Sequence, residues 1–192
     1  MKRTRTALVT HCMVSLCLCG PLEADSNSEE LIAFGRTQAA HIAARADVIA
    51  QVEEQNRISE TLSDKQIALM DLRWQQQYGR AHAPLIHRLM NNPLSDSMRS
   101  LQLRSSELIT EIIIMDKRGL NVAQSSVTSD IWQGDEAKWK KTFPLGPGAE
   151  HISDMGRDDS TGSIQIQISR TITNSQGHPI GAVTVGVAPL QF

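Results

Sequence analysis

At Ser106 the hydrophobic pattern of this chain changes its period, and the change divides the sequence into two kinds of structure. Before it, apolar residues recur at helical spacing. After it, Leu108-Ile109-Thr110-Glu111-Ile112-Ile113-Ile114-Met115 is nearly continuous apolar and β-branched, which predicts a central strand covered on both faces. Asp116-Lys117-Arg118-Gly119 reads as a turn, with Asp opening it and Gly supplying a left-handed position, and Leu120–Ser125 returns as the hairpin partner. Glu150–Met155, Ser163–Ile172 and Ile180–Ala188 read as three more strands in an antiparallel meander. The segment Trp132–Trp139, entered from Thr128-Ser129-Asp130, fits a short helix between hairpin and meander. That order predicts an α+β domain: a five-stranded antiparallel sheet with helices against one face.

The helical half begins with a stretch, Ser28 to about Leu62, that holds no Pro and a single Gly, Gly35. It predicts one long helix with Glu29 and Glu30 in its first turn, where the helix dipole favours anions. Ile42, Ala46, Ile49 and Val52 form a narrow apolar stripe that loses register at Glu53 and Asn56. So narrow a stripe buries little against its own domain. It implies either an exposed stalk or pairing with a second copy, a homodimer through residues 28–62. Ser63 and Asp64 cap a second helix through Gln77, ended by Gly79. A third helix follows Pro84, and a fourth runs from Leu94 to about Ser106. The division expected is a leader at 1–24, the long helix at 25–62 and the main domain at 63–192, its helical wrap at 63–106 and its sheet at 107–192.

Composition narrows the function. Met1–Ala24 has a basic start (Lys2, Arg3, Arg5), an apolar run from Ala7 to Cys19 and a small residue at the end. This is the plan of a secretory signal peptide cut near Ala24, which predicts a periplasmic or secreted product. Cys12, Cys17 and Cys19 all lie in that segment, so the rest of the chain has no thiol for a disulfide, a metal or a nucleophile. The whole chain carries 19 Lys+Arg against 21 Asp+Glu. Without the leader the net charge falls to about −4, which argues against a nucleic-acid partner. No metalloprotease, nucleophile-elbow or phosphate-loop motif is present, so the chain reads as a non-enzyme without a cofactor.

Three features are candidates for binding. On one helix Trp132, Asp135 and Trp139 share a face, and two indoles around a carboxylate suit an amine; the same indoles serve equally as core packing. On the last strand Ala182, Thr184 and Gly186 form a row of small residues, leaving room for a ligand or a closely packed helix. Ser163–Ile172 alternates Ile164, Ile166 and Ile168 with Gln165, Gln167 and Ser169, a polar face that is either solvated or lines a pocket. Arg170 falls on the Ile side and needs a partner or the sheet's rim.

The run Ile112-Ile113-Ile114-Met115-Asp116-Lys117-Arg118-Gly119-Leu120-Asn121-Val122-Ala123-Gln124-Ser125, then Thr128-Ser129-Asp130-Ile131-Trp132-Gln133-Gly134-Asp135-Glu136-Ala137-Lys138-Trp139, resembles the PDC/Cache sensor family. So does the closing Gly177-His178-Pro179-Ile180-Gly181-Ala182-Val183-Thr184-Val185-Gly186-Val187. These are extracytoplasmic, PAS-like ligand-sensing domains of chemoreceptors and histidine kinases. The resemblance implies a pocket between the sheet and the helix-and-loop segment. It implies a small organic solute as ligand (a carboxylate, an amine or an amino acid), with Arg170 as the carboxylate's partner. It also implies a signal passed to a membrane-bound receptor or kinase. The alternative is a ligand-free structural or interaction protein that assembles through its first helix.

Overall fold

The computed structural model describes residues 22–158 and 162–188. The body of the predicted signal segment, with its three cysteines, lies outside the described residues. Five helices come first: α1 (Leu22–Ala43), α2 (Ala46–Ser59), α3 (Asp64–Gln77), α4 (Pro84–Met90) and α5 (Pro93–Arg104). The hairpin β1 (Ile109–Asp116) and β2 (Asn121–Gln124) follows, then the short helix α6 (Ala137–Lys140) and a 3-10 turn at Phe143–Leu145. The meander is β3 (Glu150–Ile152), β4 (Gly156–Arg157), β5 (Ile164–Thr173) and β6 (Pro179–Val187).

The predicted α+β class and all five expected strands are present. They pair antiparallel in the order β2-β1-β6-β5-β3, and the two-residue β4 adds a sixth strand on β5. Seven of the eight residues of β1 are buried, as an apolar run between two covered faces requires. On one face Ile112, Ile114, Ile168, Val183, Val185 and Val187 meet α1, α2 and α5 in a single aliphatic core. There α1 lies so close to β5 and β6 that a Cβ on Gly35 would press into the side chains of Ile168 and Val187. A second cluster, Ile67, Trp74, Ile86, Leu120 and Ile131, fastens α3 and α4 beside the hairpin. Ser63 caps α3 by accepting from the Gln66 amide while Gln66 reaches back.

The long first helix differs from expectation in two ways. It breaks between Ala43 and Ala46, where Arg45 takes an extended backbone (φ −72°, ψ 134°) and its guanidinium spans Asp47 and Ser97. The stripe is also partly covered from within: Ile42 and Val52 are buried and Ile49 half-buried against this chain's own sheet, beside Leu31, Ala39 and Val48, while Ala46 stays exposed. The break lets two straight helices follow a twisted sheet, so a stripe too narrow for one long rod suffices for two short ones. It is therefore not an exposed stalk, and most of the stripe is taken up by the chain's own sheet. Asn56, which interrupts the stripe, is itself buried. Its Nδ2 donates to the Ile180 carbonyl (2.7 Å) and its Oδ1 accepts from the Lys117 amide (2.9 Å), tying α2 to β6 and the hairpin turn. Among the described residues no helix is long and apolar enough to cross a membrane.

Candidate functional site

The sheet's other face is built by the alternate residues of the same strands: Glu111, Ile113 and Met115 on β1, Gln165, Gln167 and Ser169 on β5, Ala182, Thr184 and Gly186 on β6. The segment from Thr128 to Phe143 crosses it. At one end the crossing is solid, with Trp139 and Phe143 (ring centroids 5.5 Å apart) packed on Ile113, Met115 and Ala182. At the other end it leaves a cavity of about 380 Å³ between Thr128–Lys138, the β4 hairpin and the two glutamines of β5. That volume suits a small solute.

The polar groups of this cavity are linked. Glu111, only 2% exposed, accepts on Oε1 from the amides of Gln165 (2.6 Å) and Gln167 (2.8 Å). Lys138, also buried, donates from Nζ to Glu136 (2.9 Å) and to Gln133 Oε1 (3.1 Å), and the Gln133 amide donates onward to Asp130. On the opposite wall the Arg157 guanidinium donates to the Gly162 carbonyl (2.6 Å), shaping the hairpin. Burial, with the nearby charges of Glu136 and Asp71, pushes the Asp130 carboxyl up to about 6 against the opposing pull of Lys138. Burial also raises Glu111, held back by Lys138 and its two amide donors. For Lys138, burial works against the charge, but Glu136 and Glu111 outweigh it and lift its pKa above the usual range, so it stays ionised. The walls bring Asp130, Glu136, Asp154 and Asp158 together with Lys138 and Arg157, an excess of acid. Among the described residues there is no cluster of three or more His, Cys, Asp or Glu able to hold a metal.

None of the six residues singled out in the sequence lines this cavity. The helix expected over Trp132–Trp139 covers only α6, because backbone pairing claims the rest. Trp132 bridges Leu120, Asn121 N–H donates to the Ile131 carbonyl and Gln133 N–H to the Gly119 carbonyl. Tertiary pairing overrides helical spacing here. Trp132, Asp135 and Trp139 therefore do not form one face: Asp135 is exposed, and the two half-buried indoles meet in a separate cleft beside the β1–β2 turn. Arg170 lies on the helix-covered face, half-buried beside Ala43 and Ala44 where α1 ends, so it cannot reach the cavity. Thr184 is fully buried and shares a hydrogen bond with Ser169 (2.9 Å). The gap over Gly186 is filled by the Gln165 amide and the Thr110 hydroxyl, neither a ligand nor a helix. Of the residues that build the cavity, Asp130, Gln133 and Lys138 come from the crossing and Gln165 and Gln167 from β5, with Glu111 of β1 held behind the two glutamines. Three of them left a trace: Gln165 and Gln167 share one strand face, and Glu111 interrupts an otherwise apolar strand.

No family model matches this chain, and no curated protein does. Among solved structures it is similar to the extracellular domain of rpHK1S-Z16, at 13% identity and a TM-score of 0.43, covering 86% of this chain and 58% of that one. It is similar to the sensor domain of DcuS from Escherichia coli (12% identity, TM-score 0.40, 72% and 91% covered). A third is the ligand-binding domain of the Campylobacter jejuni chemoreceptor Tlp3, in complex with 4-methylisoleucine (10% identity, TM-score 0.41, 82% and 60% covered). The chain thus spans a little under three fifths of the length of the rpHK1S-Z16 domain.

Proposed function

We propose that this chain is an extracytoplasmic binding module for a small solute carrying an ammonium group, an amine or an amino acid, and that it passes occupancy to a membrane-bound receptor or kinase. The observation that carries the reading is the acid-rich cavity, with a desolvated Asp130 on its wall and a buried Glu111 held behind its two glutamines. An ammonium group entering it replaces the water lost by Asp130 with a charge-assisted hydrogen bond and favours the ionised form of that carboxyl. In an amino acid, the carboxylate faces Lys138 or Arg157. Because the walls come from the Thr128–Lys138 crossing and the β4 hairpin, a ligand touching both favours the state in which they are drawn together. Such differential affinity is what shifts a conformational equilibrium. The alternative of a ligand-free assembly protein loses much of the helix stripe on which it rested, since Ile42, Ile49 and Val52 pack against the chain's own sheet.

Isothermal titration of the full chain with primary amines, amino acids and amine-free organic acids tests this. One-to-one binding of amine-bearing solutes is expected at pH 7.5. It should weaken as pH falls through about 6, and Asp130→Asn should weaken it about tenfold or more, the loss of one charge-assisted hydrogen bond. Preference for amine-free acids, or affinity indifferent to Asp130, would overturn the reading.

A further inference from the structure

We infer a second binding site, for a small aromatic carboxylate, in the cleft where Trp132 and Trp139 meet Lys117 and Arg118 beside α3. The cleft encloses about 480 Å³ and shares no lining residue with the acid-rich cavity, so it does not depend on the amine reading.

The two indoles are fixed before any ligand arrives. Trp132 Nε1 donates to the Arg118 carbonyl (2.8 Å) and Trp139 Nε1 to the Asp116 carbonyl (3.1 Å). With both N–H groups used, what each ring has left to offer a ligand is its π surface, and Ile67 adds an aliphatic wall. A flat apolar ring fits such walls through stacking, at low cost because neither indole needs to be ordered.

The charge of the cleft is set by the β1–β2 turn, which brings Lys117 and Arg118 to its mouth. The expectation of an amine between the indoles is thereby reversed in sign: the exposed Asp135 is not among the lining residues, and two cations are. Both cations are tethered by exposed acids, Lys117 by Glu60 and Arg118 Nη2 by Asp64 Oδ1 at 2.5 Å, and the Asp64 side chain is 99% exposed. An ion pair so open to water is weak, so an arriving carboxylate can take Asp64's place. The other Arg118 nitrogen donates to the Leu62 carbonyl (3.0 Å), keeping the guanidinium aimed during the exchange. Asp64 then acts as a built-in competitor for the ligand's carboxylate.

The test is isothermal titration of the full chain with sodium benzoate, alongside tryptophan fluorescence, using benzamide as the uncharged comparison. Saturable benzoate binding is expected with a change in indole emission, and benzamide should bind about tenfold more weakly for want of the charge-assisted pair. Arg118→Gln should weaken benzoate by a similar factor. Asp64→Asn, an exposed change that leaves the Leu62 contact intact, should tighten it about threefold by removing a weak surface competitor. Equal affinity for benzamide, no saturable response at millimolar benzoate, or an Asp64→Asn chain that binds no more tightly would each overturn the site. The Asp64 variant decides the matter even if Arg118→Gln folds poorly.

Discussion

Asp130 sits where binding and stability pull in opposite directions. Its carboxyl titrates near 6 in the folded chain against an ordinary value of 3.8, chiefly because burial penalises the charged form. With the folded pKa raised, the folded state holds a proton that the unfolded state has released between those values. The stabilisation this gives is complete below about 3.8 and is lost as pH rises through about 6. Above that range the chain carries an ionised, half-buried carboxylate at a net cost, which an ammonium ligand would offset. Asp130→Asn keeps an oxygen to accept from Gln133 and removes the charge. Its melting temperature should exceed that of the parent by about 2–4 °C at pH 7.5, if the screened cost is about 1 kcal/mol. The advantage should vanish near pH 4. A thermal scan across pH checks this, and a difference that stays constant with pH would show that Asp130 titrates normally. The same substitution is expected to weaken amine binding, so a gain in stability and a loss of affinity should travel together.

At the level of elements, the tight seat of α1 on the sheet is open to a direct test. Gly35→Ala improves helix propensity by about 1 kcal/mol. It also drives a methyl into the side chains of Ile168 and Val187, an overpacking cost of typically about 1–3 kcal/mol. A lower urea midpoint is expected for Gly35→Ala; a higher one would show that helix and sheet are not in such close contact. The strands were readable because β-branched runs such as Ile112–Ile114 and alternations such as Ile164–Ile168 are local signals that folding leaves in place. Two helical readings were not so protected. The break at Arg45 contains no Gly or Pro and follows from the shape of the sheet beneath, which no local pattern reports. The Trp132–Trp139 spacing is helical, yet backbone pairing to Gly119, Leu120 and Asn121 takes its first half. The cavity was largely illegible for a related reason. Lys138 and Asp130 look like ordinary surface charges until the crossing lays them over Gln165 and Gln167, whose shared strand face was the one legible sign of a polar lining.

The molecule as a whole is a sheet with unlike faces. The face under α1, α2 and α5 is filled by aliphatic side chains and supplies most of the cohesion; the other is half packed by Trp139 and Phe143 and half left as an acid-rich hollow. On the proposed reading, that asymmetry lets one side hold the fold while the other takes up the solute. It predicts that a ligand acts on the polar face alone. The most direct check is an amide chemical-shift titration of the full chain with the tightest-binding member of the amine and amino-acid panel. The account predicts saturable shifts concentrated in Thr128–Lys138, the β4 hairpin and around Gln165 and Gln167, with the α1 amides over Gly35 unmoved. Shifts centred on the α1–α2 face, or on the Trp132 and Trp139 cleft with the cavity silent, would contradict it.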